Sequence, residues 1–222
     1  MLSPSKPILY LITRGATDEK TYAESAEFHQ ILMQVSAAVT AGIQLVQLRE
    51  KRLRPRVLFE LATRAVSITE GTPTRVLIND RADIAAGAGA GGVHLTTHSL
   101  ETGVVREAFG GTLLIGCSTH SIEEARSARD EGADFIVFGP VFPSPSKVQY
   151  GPPLGLKALA EVAHELQPFP VLALGGISMT NASDCLRAGA SGIAGISLFS
   201  QPEGLATVAT AIRESVKGGA AP

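Results

Sequence analysis

With 222 residues, 45% hydrophobic and 18% charged, 23 glycines and no tryptophan, the chain is long and apolar enough for one α/β domain, 1–222, with a substantial core. A net charge of −2 excludes a global field for nucleic acid or an anionic membrane surface, so any anion recognition has to come from a local site. Cys117 and Cys185 stand far apart without a CxxC spacing, which argues against a disulfide framework or a cysteine zinc site and predicts a reduced, cytoplasmic setting.

Segment 1–6 lacks the apolar core of a signal peptide, and no stretch reaches the roughly 18 uninterrupted apolar residues of a membrane helix. Both ends, 1–6 and 217–222, have the composition of frayed termini. Ile8 to Thr13 is an apolar run of strand length, followed by a polar loop at Arg14-Gly15 and then roughly 20 residues of helical spacing. Leu45-Val46-Gln47-Leu48-Arg49-Glu50-Lys51 enters apolar and turns into alternating polar residues. On a strand, Gln47, Arg49 and Lys51 share one face, and Val46, Leu48 and Glu50 the other. Two cations and an amide so placed suit a polyanion, with arginine as a planar fork and lysine as a point charge. A half-buried strand running out into solvent gives the same alternation.

Further runs follow at Val76 to Asn79, Gly92 to Leu95, Leu113 to Gly116, Phe135 to Phe138, Val171 to Leu174 and Gly192 to Ile196, making eight. Helical segments lie between them. One is Ser121 to Arg129, whose serine and following acids read as a helix N-terminus. Glycines at Gly42, Gly91, Gly132 and Gly189 stand where a helix should stop before a strand, at spacings of about two βα units. Near-continuous apolar strands alternating with helices predict a parallel sheet buried on both faces, and the eight units predict a (β/α)8 TIM barrel. A doubly wound open sheet is the alternative.

In a barrel the chemistry sits just after each strand. Those positions hold Gln47, Arg49 and Lys51; Asn79, Asp80 and Arg81; His94 and Thr96; and Ser118, Thr119 and His120. The sixth strand opens a Pro- and Gly-rich loop from Gly139 to Pro153 that carries Ser144, Ser146 and Lys147 and has the character of a lid. Gly175-Gly176-Ile177-Ser178 and Ile196-Ser197 follow the seventh and eighth strands, the usual phosphate position, although Gly175-Gly176 also suits a simple tight turn. Asp80 is a candidate Mg²⁺ ligand facing a diphosphate, or an Asx turn before the next helix. His120 is a candidate proton shuttle, or a helix cap. Cys117 reads as a small buried hydrophobe.

In order and spacing, Val46 to Lys51, Leu77 to Arg81, Gly92 to Leu95, Gly116 to His120, Phe138 to Pro143, Ser146-Lys147, Gly151 to Pro153 and Leu174 to Ile177 resemble the thiamine phosphate synthase/TenI superfamily of (β/α)8 barrels. The resemblance implies joining hydroxymethylpyrimidine diphosphate to hydroxyethylthiazole phosphate. It further implies that Arg49, Lys51, Asn79 and Lys147 hold the diphosphate and that Gln47 lies by the pyrimidine. Gly176, Ile196 and Ser197 would seat the thiazole phosphate. Ser118 is another site serine, Ser144 and Ser146 join the substrate-binding set, and Asp80 binds Mg²⁺. Arg49, Lys51, Ser118, His120 and Lys147 form the expected catalytic set.

One stretch departs from the pattern. After Gly-Val-His-Leu the synthases usually supply a second carboxylate for Mg²⁺, whereas here the chain reads Thr96-Thr97-His98-Ser99, and Ser99 is a much weaker ligand. This resembles the TenI-like branch, which includes metal-free thiazole tautomerases; a non-catalytic thiazole- or thiamine-phosphate-binding barrel is a third possibility. The partners implied are small phosphates and diphosphates, with no nucleic acid and no membrane, and homo-oligomerisation is left open.

Overall fold

A computed structural model describes residues 7–143 and 152–217, and its strands close on themselves. In chain order the elements are β1 (Ile8–Ile12), α1 (Ala26–Thr40), β2 (Leu45–Leu48), α2 (Pro55–Thr69), β3 (Arg75–Asn79), α3 (Ala82–Gly87), β4 (Gly92–Leu95) and α4 (Thr102–Phe109), continuing with β5 (Leu114–Thr119), α5 (Ile122–Asp130), β6 (Phe135–Phe138), α6 (Gly155–Glu165), β7 (Val171–Ala173), α7 (Ala182–Arg187), β8 (Gly192–Gly195), a 3-10 turn (Pro202–Gly204) and α8 (Leu205–Lys217). Every strand is parallel to its neighbours and β8 pairs with β1, so the sheet is a closed barrel, not an open doubly wound one. Residues 1–6 and 218–222 lie outside the described residues, and Lys217 is the last residue of α8.

The continuous apolar runs follow from burial on both faces. Ile8, Tyr10 and Ile12 of β1 pack inside the barrel with Leu45, Leu77, Phe135, Val137, Leu172 and Ala194. Leu9 and Leu11 point outward into the layer beneath the helices, with Phe28, Val35 and Leu61. Gly116 leaves the space that the Phe135 ring fills, since a Cβ there would lie 2.2 Å from that ring. Burying a ring of that size stabilises the fold by about 2–3 kcal/mol relative to exposure.

Three local expectations change. Helix α1 begins only at Ala26, so residues 13–25 form a longer loop than helical spacing predicted. Strand β5 extends to Thr119, placing Ser118 within it. Gly42, Gly132 and Gly189 have positive φ as expected, but before β4 that role falls to Gly89, because α3 ends early at Gly87. Gly91 is instead a close contact, where a Cβ would meet the Arg75 Cβ at 2.9 Å. No helix among the described residues is long and apolar enough to cross a membrane.

Candidate active site

Because all eight strands run one way, the residues that follow them share one rim. At the end of β2, Gln47 is 1% exposed and points into the barrel, where its Nε2 donates to the Tyr10 hydroxyl at 2.8 Å. Arg49 and Glu50, just past the strand, are fastened to the loop after β1. The Arg49 N–H donates to Thr13 Oγ1 at 2.8 Å, and Thr13 Oγ1 donates to Glu50 Oε1 at 2.6 Å. Glu50 Oε1 also accepts from Gly15 N at 3.2 Å, and Oε2 accepts from Thr17 N at 3.2 Å and Thr17 Oγ1 at 2.6 Å. Glu50 is thus a buried carboxylate with four donors, all on one loop. Gly15 lets that loop lie against Arg49: its φ is +73°, and a Cβ there would be 3.0 Å from the Arg49 carbonyl oxygen. Arg49 is half-buried at the rim and Lys51 is exposed there.

At the end of β3, Asp80 has φ +65° and is the one non-glycine residue with positive φ among the described residues. Its N–H donates to the His94 carbonyl at 2.9 Å, and Arg81 N donates to the Asn79 carbonyl at 2.8 Å, so the turn is pinned on both sides. Such a conformation costs on the order of 1–3 kcal/mol and concentrates at functional sites. The carboxylate is exposed and does not cap α3, whose N-cap residue is Arg81 without a side-chain cap bond. The Asx-cap alternative therefore falls away. Ser99 turns back on its own loop, with Oγ accepting from Thr96 N at 2.8 Å and lying 3.2 Å from Thr96 Oγ1.

His120 directly follows β5. The cap of α5 is Ser121, whose side chain accepts from Glu124 N, while His120 N donates to Glu124 Oε2 at 2.7 Å. The His120 ring does not serve as the cap: its Nδ1 lies 2.5 Å from the Gly139 carbonyl, which can only accept, so Nδ1 carries the proton. The side chain fastens β5 to the start of the loop after β6. That loop also pairs with the end of β7, with Val141 N donating to Leu174 O at 2.8 Å and Phe142 N to Gly175 O at 3.0 Å. Gly176, φ +63°, sits so close beneath it that a Cβ would be 2.4 Å from the Pro143 carbonyl oxygen. Gly175-Gly176 is therefore more than a tight turn, because the loop after β6 rests on it. Ile196 and Ser197 follow β8 at the same rim, with Ser197 exposed. Ser144, Ser146 and Lys147 lie outside the described residues, as does most of the loop expected to act as a lid.

Cys117 is buried and hydrogen-bonded to Thr102 Oγ1 at 3.2 Å, and burial pushes its thiol up to about 11, as expected of an inert cysteine. His94, named above only as a strand-end residue, is 3% exposed inside the barrel, with Nε2 2.9 Å from Ser118 Oγ. Burial, reinforced by the positive charge of Arg49, pushes its pKa down to about 3. Glu50 and its threonines also escaped the sequence reading. The signal available was a carboxylate set between two cations, but its partners lie 33 to 37 residues away. A separate cleft of about 450 Å³ opens between α1 and the segment after β8, lined by Arg14, Gln34, Glu203 and Glu50 among others.

A family model described as thiamine monophosphate synthase matches residues 9–199. A Geobacter sulfurreducens protein provisionally named thiamine-phosphate synthase is 46% identical over 189 residues, covering 85% of this chain and 84% of its own. The thiamine-phosphate synthase of Chlorobium luteolum is 37% identical over 222 residues, covering 99% of both chains. Among solved structures, a thiamine phosphate pyrophosphorylase from Pyrococcus furiosus superposes with a TM-score of 0.78 at 28% identity, over 98% of this chain and 99% of its own.

Proposed function

The chain belongs to the thiamine monophosphate synthase family, and on that footing we propose that it couples hydroxymethylpyrimidine diphosphate to hydroxyethylthiazole phosphate, giving thiamine phosphate and diphosphate. The end of β2 supports this assignment most directly. A tautomerase has no diphosphate to hold, yet here Arg49 is anchored through Thr13 and Glu50 beside the strained turn at Asp80. The C–O bond of the pyrimidinylmethyl diphosphate breaks with its electron pair leaving on diphosphate. The thiazole nitrogen lone pair then forms the new C–N bond. No proton has to move, so the protein's task is to neutralise the leaving group and hold the two rings in line. Arg49, Lys51, Asn79 and Lys147 hold the diphosphate, Gln47 the pyrimidine, and Gly176, Ile196 and Ser197 the thiazole phosphate, with Ser118, Ser144 and Ser146 completing the contacts. His120 keeps the loop after β6 in register through its bond to the Gly139 carbonyl.

No group of three or more His, Cys, Asp or Glu side chains among the described residues assembles a protein metal cage. Asp80 nevertheless fits an ion carried in on the diphosphate, because Mg²⁺ keeps several waters and needs only one or two carboxylates besides phosphate oxygens. When bound there, Mg²⁺ would supply charge neutralisation of the diphosphate. The test is thiamine phosphate formation by the purified full chain with both substrates across a Mg²⁺ titration. Turnover that rises with Mg²⁺ is expected, and its absence at every concentration would return the chain to the tautomerase reading.

Ser99→Asp restores a second hard ligand on the loop after β4. If position 99 faces the ion, the Mg²⁺ concentration giving half-maximal rate should fall about tenfold, equivalent to about 1.4 kcal/mol. An unaltered titration would show that the side chain at 99 stays turned onto Thr96.

A further inference from the structure

Three buried side-chain atoms among the described residues have no hydrogen-bond partner: Asn79 Oδ1, His94 Nδ1 and Thr119 Oγ1. The first two belong together, because Asn79 and His94 are register partners on β3 and β4. Asn79 lies two residues beyond Leu77, so both share the inward face. The His94 ring is held against the aromatic rings of the barrel interior, 5.7 Å from Tyr10 and 6.3 Å from Phe135 between centroids. Its Nε2 is 2.9 Å from Ser118 Oγ.

With its position fixed, the ring retains one choice, which nitrogen carries the proton. Asn79 Oδ1 can only accept, so the space between β3 and β4 needs a donor, and Nδ1–H, itself without a protein partner, supplies one through a single water. Nε2 is then an acceptor, and Ser118 must donate its hydroxyl proton to it. The pair superficially resembles a nucleophile and its base, but no carboxylate is bonded to Nδ1, and the coupling reaction needs no proton removed.

We propose that His94 is a positioning residue: its Nε2 holds the Ser118 hydroxyl proton, so that Ser118 presents oxygen lone pairs to the barrel mouth and stabilises the pyrimidinylmethyl cation left when diphosphate departs. This role rests on the synthase reading above and adds a residue to it. The C–O and C–N bond changes are those already given. Ser118 and His94 form no covalent bond and release no proton. A hydroxyl whose proton is committed to a neighbour is an oriented dipole, which aids a developing charge without reorganising during the step.

Two measurements test it. The imidazole ¹⁵N shifts of His94 in the full-length protein report the tautomer whether or not the protein turns over; protonated Nδ1 with bare Nε2 is expected, and protonated Nε2 would overturn the proposal. In turnover, His94→Leu should lower kcat about tenfold while KM for both substrates stays within about twofold. The double variant His94→Leu with Ser118→Ala should be no slower than Ser118→Ala alone, because His94 acts only through that hydroxyl. His94→Gln offers an amide oxygen to the same proton and should recover most of kcat, which a merely space-filling role would not predict. Losses that add in the double variant, or equal losses in the Leu and Gln variants, would overturn the role. A wild-type protein without turnover would sink the synthase reading and the cation role with it, leaving the tautomer to decide the polarity of the hydrogen bond alone.

Discussion

Arg49→Ala will lower kcat/KM for the pyrimidine diphosphate by about 30-fold or more. The Arg49 backbone is pinned by its N–H to Thr13 Oγ1, and the residue is half-buried at the rim proposed above to hold the diphosphate. A charge-assisted bond from guanidinium to phosphate contributes about 1.5–3 kcal/mol, and it strengthens as negative charge gathers on the leaving group. Losing about 2 kcal/mol of transition-state stabilisation corresponds to the stated factor. Arg49→Lys should fall between the wild type and alanine, since an ammonium keeps the charge but not the planar fork. Steady-state rates with the thiazole phosphate saturating check this. An unchanged kcat/KM in Arg49→Ala would remove Arg49 from the diphosphate site.

The barrel is legible in the sequence for a definite physical reason. Strands buried on both faces show as short continuous apolar runs, and β2, β4 and β6 carry the bounds that those runs mark. Where polar residues line the barrel interior the signal stops early, so Cys117, Ser118 and Thr119 look like a loop although they are the last half of β5. The rim residues are legible as a set because parallel topology puts every strand end on one side. What holds them is not legible. Alternation places Glu50 on the face opposite Arg49, with Val46 and Leu48, and gives no sign of its partners, yet it is 2% exposed and is the acceptor on which the loop after β1 closes. The positive φ of Asp80 depends on its N–H reaching the His94 carbonyl on the next strand, which no local pattern encodes.

Glu50→Ala should be the most destabilising single change at the rim. Its carboxylate accepts from Thr13 and Thr17 hydroxyls and from the Gly15 and Thr17 N–H groups, and removing it leaves four donors without that acceptor, three of them buried. An unsatisfied buried donor costs about 1–3 kcal/mol, and rotation of the two hydroxyls with entry of water relieves part of that, leaving about 3 kcal/mol. For a chain of this size that is a fall in Tm of about 6–12 °C. Glu50→Gln keeps the volume and one acceptor oxygen, which can serve either the Thr13–Gly15 side or the Thr17 side but not both, so about half the fall is expected. Thermal unfolding of the two variants beside the wild type decides it. The Thr13 hydroxyl that Glu50 orients also accepts the Arg49 N–H, so the surviving activity of Glu50→Gln should show a raised KM for the diphosphate substrate and an unchanged KM for the thiazole phosphate. A Tm within about 2 °C of wild type in both variants would mean that the loop after β1 is held without the carboxylate, and the anchoring given to Arg49 would then fail at its base.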